Sequence, residues 1–163
     1  WLVVPRHPQR FDEVATLARQ AGLSASRRSE WGEQQGPAEA DVWIGDSLGE
    51  MALYYGLADV ALLGGSFLPL GGQNLIEAAA CGCPVVMGPH TFNFAEAAQD
   101  AQAGGAAVRV ETLDEGVRQA VAMVKDAGAL ERHVAAARAF AQAHGGAAAR
   151  TAQALLALVP AAR

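Results

Sequence analysis

Residues 58–87 read ADVALLGGSFLPLGGQNLIEAAACGCPVVM, and they carry the clearest signal of the fold class. The apolar run at 58–63 predicts a buried strand, residues 74–81 have helical character, and 84–87 predict a second buried strand. A strand, a helix and a strand in this order form a βαβ unit, whose two strands run parallel in one sheet. The stretch therefore predicts an α/β protein with a parallel sheet.

The same alternation continues on both sides of this unit. Four further strands are predicted, at 1–4, 24–28, 41–44 and 106–110. Three further helices are predicted, at 10–21, 48–56 and 93–102. Beyond residue 110 the composition becomes that of Ala-rich helices alone. We therefore predict a Rossmann-like, doubly wound parallel sheet at about 1–110, followed by a helical tail at 111–163.

Length and composition favour one globular domain over residues 1–163. The chain is 52% hydrophobic and 18% charged, which allows one sizeable core. Its formal net charge is -5 and its basic residues are scattered, which disfavours a nucleic-acid surface. No apolar run approaches the ~18 residues that a membrane-spanning helix needs, so we expect a soluble chain.

The first residues and the two cysteines add two expectations. Residues 1–4 form a predicted strand without a Met or a lead-in, so we expect a piece of a longer protein. Cys81 and Cys83 lie one residue apart, and no second Cys/His pair follows at zinc spacing. We therefore expect reduced, packed thiols in a cytoplasmic protein, with no metal site and no disulfide.

Ligands of parallel sheets bind at the carboxyl ends of the strands, so the loops after the predicted strands are the candidate sites. The first loop is Pro5-Arg6-His7-Pro8, where two prolines stiffen the chain around Arg6. A planar guanidinium donates two hydrogen bonds at once and suits a phosphate or a carboxylate. A surface arginine between prolines is the alternative, and His7 is a second candidate beside it.

The loop after the third strand is Gly45-Asp46-Ser47-Leu48-Gly49-Glu50-Met51. Ser47 and Glu50 have the S-x-x-E spacing of a capping box at a helix start. A helix N-terminus also offers free N–H groups to a ligand, and Gly49 allows its close approach. The two interpretations are compatible.

Two Gly-Gly pairs, at 64–65 and 71–72, bracket the loop that leads to Asn74 and Glu77. Asn74 is a favoured N-cap residue, and Glu77 follows three positions later. Glycines allow a phosphate to contact backbone, and a carboxylate one turn into the helix can accept hydrogen bonds from ribose hydroxyls. Capping alone does not require so many glycines, so this loop predicts a nucleotide site.

His90 lies in the loop after the fifth strand, within Gly88-Pro89-His90-Thr91-Phe92-Asn93-Phe94. It is either a catalytic acid or base or, as we favour, a hydrogen-bonded structural residue. No predicted strand is followed by GxGxxG, and the chain contains no GxxxxGK[ST]. The sequence therefore disfavours an NAD or FAD site and a P-loop.

Together these motifs resemble the C-terminal half of the 3-deoxy-D-manno-octulosonic acid (Kdo) transferases, a family of GT-B glycosyltransferases. The resemblance runs from residue 1 to about 110, with the motifs in the family's order: residues 5–11, 45–50, 64–66, 71–77 and 87–94. It implies an enzyme of two Rossmann-like domains with the active site between them. This chain is then the donor-binding domain, and the N-terminal acceptor domain is absent from it.

The resemblance also implies ligands and site residues. The donor is CMP-Kdo, the acceptor is a lipid A precursor, and no cofactor is implied. Contacts to CMP map onto Pro5, Arg6, Gly49, Glu50, Met51, Asn74, Leu75, Ile76 and Glu77. Further cleft residues are His7, Gly64, Gly65, Ser66, Gly72 and His90.

Catalysis and location follow from the same resemblance. The family's general base is a Glu of the N-terminal domain, so no catalytic residue maps onto this chain, and we expect the isolated chain to be inactive. The family acts in lipopolysaccharide inner-core synthesis on the cytoplasmic side of the bacterial inner membrane. Its membrane contact belongs to the missing half.

Two positions depart from the family pattern, since Gln73 stands where many members have His and Leu70 where many have a basic residue. Two other interpretations stay open. One is another GT-B protein that uses a UDP-sugar, as a transferase or an epimerase, because these proteins share the Gly-rich loop and the ribose-binding Glu. The other is a non-catalytic nucleotide-binding or interaction domain.

Overall fold

Six short parallel strands form the frame of the computed structural model, which describes residues 1–32, 39–145 and 152–155. The strands lie in two three-stranded sheets. The chain divides accordingly into two compact units, Trp1–Ala58 and Asp59–Arg163.

The first unit contains the strands β1 (Leu2–Val3), β2 (Ala25–Arg27) and β3 (Val42–Ile44). Its helices are α1 (Phe11–Gln20) and α2 (Met51–Leu57). Strand β3 lies between β1 and β2, and its apolar side chains Val42 and Ile44 are buried against Ala15 of α1. Because all three strands are parallel, the segments that follow them emerge at one edge of this sheet.

The second unit contains the strands β4 (Ala61–Leu63), β5 (Val85–Met87) and β6 (Ala107–Arg109). Its helices are α3 (Leu75–Ala80), α4 (Ala95–Ala103), α5 (Leu113–Lys125) and α6 (Ala127–His144). Strand β5 is central and fully buried, and Val86 packs against Ala120 and Met123 of α5. Helix α6 packs along α3. The loops after β4 and β5 therefore emerge side by side at the carboxyl edge of this sheet.

The predicted α/β fold with parallel strands is confirmed, although the strands form two three-stranded sheets. Two predicted helices begin later than expected, at Met51 and Ala95. Gly49 delays the first with a φ of +80°, and Phe92–Phe94 form a 3-10 turn before the second. Within the predicted helical tail, residues 146–151 and 156–163 lie outside the described part of the chain. Among the described helices, none has the length and apolar character needed to cross a membrane.

Candidate functional site

The loop after β1 presents an unpaired guanidinium. Arg6 is exposed, and its side chain makes no hydrogen bond or ion pair with another described residue. His7 is also exposed and precedes the 3-10 turn Pro8–Arg10, whose Arg10 N–H donates to the His7 carbonyl at 2.9 Å. Arg6 is therefore available to an anion, while the neighbouring Arg10 already pairs with Glu13 at 3.1 Å.

The capping box predicted for Ser47 and Glu50 is wrong. Helix α2 begins at Met51 with Glu50 as its N-cap residue, and the Glu50 side chain makes no capping hydrogen bond. Instead, Ser47 Oγ donates to Glu50 Oε2 and also contacts the hydroxyl of the buried Tyr54. Ser47 and Glu50 therefore hydrogen-bond to each other, and the Tyr54 hydroxyl joins them from the core side. Met51 is the first residue of α2, so its backbone N–H has no acceptor within the helix.

Sequence reasoning missed Arg28, which belongs to the same network. Its Nη2 donates to Glu50 Oε1 at 2.8 Å, and its guanidinium lies 5.4 Å from the centre of the Trp31 ring. The hydrogen bond from Ser47, and after it the one from Arg28, hold the pKa of the Glu50 carboxyl below its ordinary value, against partial burial that raises it. Arg28 lies 22 residues before Glu50 and in no motif, so only the fold reveals the pair.

Ser66, in the loop after β4, has a structural role. It is fully buried, and its Oγ donates to the Leu63 carbonyl at 2.5 Å and accepts from the Gly88 N–H at 2.7 Å. Its carbonyl accepts from the His90 N–H at 2.9 Å. These bonds hold the loops after β4 and β5 together. Gly64 is exposed, and a Cβ there would meet nothing within 4 Å, so this glycine leaves room for a ligand.

The second glycine pair makes the turn into α3. Gly71 and Gly72 have φ values of +86° and +80°, a left-handed conformation that other residues rarely adopt. Gln73, whose role was open, accepts the Gly65 N–H on its Oε1 at 3.1 Å and braces the first glycine pair. Leu70, the other departure from the family pattern, is 62% exposed.

The predicted N-cap at Asn74 is confirmed. Its Oδ1 accepts from the Ile76 N–H at 3.1 Å, and its Nδ2 donates to Glu77 Oε1 at 3.0 Å. Glu77 is exposed, so its carboxylate is open to further donors such as hydroxyls. Leu75 is buried, so its side chain belongs to the core and only its backbone is available to a ligand.

An open cleft of about 430 Å³ adjoins the loop after β5. Its lining includes Pro89, His90, Thr91, Phe92, Gln102 and Arg109. The guanidinium of Arg109 donates to the carbonyls of Gly88 and Pro89 at 3.1 and 3.2 Å and to Thr91 Oγ1 at 3.1 Å, which braces this loop. No sequence motif indicated Arg109. We favoured a structural hydrogen bond for the His90 side chain. Its ring makes no hydrogen bond to another described residue, so the described part of the structure does not show that bond.

Cys81 and Cys83 form no disulfide, and Cys83 is buried. Burial, and then the neighbouring Cys81, raise the pKa of the Cys83 thiol to about 12. Within the described ranges, no group of three or more His, Cys, Asp or Glu side chains is placed to hold a metal ion.

Comparison with known proteins gives a consistent set of relatives. The chain is 51% identical over 94% of its length to a 3-deoxy-D-manno-octulosonic acid transferase of Bordetella pertussis, and 46% identical over 58% to the Haemophilus influenzae protein of that name. It spans 36% and 22% of those two proteins. No protein-family model matches the chain.

A solved structure shows the same fold over most of the chain. It is the crystal structure of the C-terminal CMP-Kdo binding domain of WaaA from Acinetobacter baumannii. The two chains are 35% identical, with a TM-score of 0.78, and the match covers 86% of this chain and 72% of the other.

Proposed function

The chain belongs to the 3-deoxy-D-manno-octulosonic acid (Kdo) transferase family, and we propose that it is the part of such an enzyme that binds the donor CMP-Kdo. The observation that carries this proposal is the similarity to a CMP-Kdo binding domain over 86% of the chain. Three features support it: the exposed Arg6 after β1, the left-handed glycine turn into α3 and the exposed Glu77.

The proposed donor contacts are assigned residue by residue. Arg6 pairs with the phosphate of the nucleotide, next to the stiff Pro5, because its guanidinium is exposed and unpaired among the described residues. Glu77 accepts hydrogen bonds from the ribose hydroxyls. The backbone of Gly49–Met51 contacts the remaining part of the nucleotide, and no metal or other cofactor takes part.

The rest of the protein supplies the other functions. The acceptor is a lipid A precursor held by an N-terminal domain, which also provides the catalytic Glu and the contact with the bacterial inner membrane on its cytoplasmic side. This chain alone is expected to transfer no Kdo when given CMP-Kdo and acceptor. Kdo transfer by this chain alone would show that the general base does not lie in the N-terminal domain.

The first experiment is a calorimetric titration of the chain with CMP and with UMP. We expect weak binding of CMP, a clear preference over UMP, and the same affinity in the presence of EDTA. A preference for UMP would favour a UDP-sugar enzyme instead. If neither nucleotide binds to the chain or to the full-length protein, the site is vestigial.

Arg6→Ala should lower the affinity for CMP by about tenfold or more and leave the affinity for cytidine unchanged, because a charge-assisted hydrogen bond to phosphate contributes roughly 1.5–3 kcal/mol. The loss should shrink in high salt. Arg10→Ala is the matched control, since it removes a nearby arginine that pairs with Glu13. Equal losses for CMP and cytidine in Arg6→Ala would rule out the phosphate role.

Glu77→Gln should weaken CMP and cytidine alike and reduce the preference for CMP over 2′-deoxy-CMP. Because Asn74 donates to Glu77, the melting temperature is measured on the same sample to exclude a frayed α3. Glu96→Gln, in the first turn of α4, is the control for loss of one exposed carboxylate. If a folded Glu77→Gln protein keeps the preference for CMP over 2′-deoxy-CMP, Glu77 does not bind the ribose and serves only as the hydrogen-bond partner of Asn74.

A further inference from the structure

Arg28 is held in place by an aromatic platform at the end of β2. Its guanidinium lies 5.4 Å from the centre of the Trp31 ring, within the range of a cation–π interaction. Trp31 stands edge-on to Trp43 of β3, with 5.7 Å between ring centres, and its Nε1 donates to Ser26 Oγ at 3.0 Å. The direction of the Arg28 side chain is therefore set by two strands.

The carboxylate that Arg28 meets has both of its oxygens occupied. Glu50 Oε1 accepts from Arg28, and Oε2 accepts from Ser47, whose hydroxyl in turn contacts Tyr54 of α2. Glu50 thus connects the end of β2 to the first residues of α2. Each oxygen of its side chain already has a protein partner, and these bonds tie the Glu50 side chain to the end of β2 and to the loop.

The loop that Glu50 anchors needs such a restraint. Gly49 has a φ of +80°, and a Cβ on it would meet nothing within 4 Å, so packing does not constrain this residue. At the other end of the loop, Gly45 is packed against the Tyr54 ring and Val4, where a Cβ would come within 3 Å of both. The half of the loop next to Glu50 is therefore the half that packing leaves unconstrained.

We propose that Arg28 is a positioning residue for the donor site, which acts through Glu50 on the backbone of Gly49–Met51 without contacting the nucleotide. This inference rests on the proposed function. A partly exposed ion pair contributes little to stability, and the Arg28 Nε–H is buried without an acceptor among the described residues. Stability alone does not account for such an arrangement, whereas positioning of a ligand loop does.

The test compares Arg28→Ala, Arg28→Lys and Glu50→Gln with the wild-type chain. Arg27→Ala is the matched control, because the adjacent arginine pairs with Asp12 and not with the loop. Affinities for CMP are measured by calorimetry, and affinities for ribose 5-phosphate, which lacks the base, by NMR titration. All are measured well below the melting temperature of each variant.

We expect Arg28→Ala and Glu50→Gln each to lower the affinity for CMP about tenfold. Since both residues act on one loop, the double variant should lose no more affinity than the weaker-binding single variant. Arg28→Lys should restore part of the affinity, Arg27→Ala should stay within twofold of wild type, and ribose 5-phosphate should bind all variants equally.

Three results would overturn the proposal. Wild-type CMP affinity in a folded Arg28→Ala protein would overturn the role of Arg28 alone. Equal losses for CMP and ribose 5-phosphate would show a merely structural role. A wild-type chain that does not bind CMP would overturn the proposed function and this inference with it. If Arg28→Ala does not fold, Arg28→Lys and Glu50→Gln still decide the question.

Discussion

The loop after β3 and the loops after β4 and β5 are held in place by different means. In the first unit, the loop is held by side chains that meet at one carboxylate, with Arg28 and Ser47 on Glu50. In the second unit, the loops are held by backbone groups around the buried Ser66 and by glycines in left-handed turns. The side-chain network is partly exposed, whereas the backbone cluster is buried.

This difference separates two kinds of sensitivity. A partly exposed network of charges responds to pH, salt and loss of a charged group, and contributes modestly to stability. A buried cluster of glycines and backbone bonds responds to added volume and to lost hydrogen bonds, and each such change costs more. The comparison predicts which substitutions affect folding and which affect the site.

The largest effect is expected at Gly88. A Cβ there would lie 2.5 Å from the Ser66 carbonyl oxygen and 2.8 Å from the Phe67 ring, so backbone must move. Gly88→Ala should lower the free energy of unfolding by about 3 kcal/mol in urea titrations. Gly64→Ala is the control, because its Cβ meets nothing within 4 Å, and it should change stability by less than about 0.5 kcal/mol. Equal stabilities of the two variants would contradict the steric argument.

The two serines provide an intermediate test. Ser66→Ala leaves the Gly88 N–H and the Leu63 carbonyl without their buried partner and should cost about 2–3 kcal/mol. Ser47→Ala removes a hydroxyl from a half-buried site, where water can replace it, and should cost about 0.5–1.5 kcal/mol. Urea unfolding of both variants measures the difference, and a larger loss in Ser47→Ala would reverse the comparison.

The smallest effect is the pH dependence that arises from Glu50 in the first unit. The folded pKa of Glu50 is lowered, so its ionised form contributes stability that is present above the unfolded pKa of about 4.3 and is lost as pH falls through the folded value. The melting temperatures of wild type and Glu50→Gln should therefore differ at pH 7 and converge as pH falls below the folded pKa of Glu50. An undiminished difference at low pH would show that the Glu50 charge does not matter.

The sequence predicted much of the fold correctly. The βαβ pattern of residues 58–87 indicated parallel strands, and the N-cap at Asn74 followed from residue type and position. The same local logic failed at Ser47 and Glu50, because it did not include the Tyr54 hydroxyl. It also missed Arg28, whose partner Glu50 lies 22 residues away, and Arg109, which braces a loop 18 to 21 residues before it.

Residue type and local spacing were therefore sufficient to predict the alternation of strands and helices, the glycine-rich turns and the family. Which polar groups form hydrogen bonds could be read only from the three-dimensional fold. It paired Arg28 with Glu50, placed Ser66 between the Leu63 carbonyl and the Gly88 N–H, and set Gln73 on Gly65. A hydrogen bond depends on distance in space. Loops that are far apart in the sequence come together at one edge of a sheet, because the parallel strands that precede them end there.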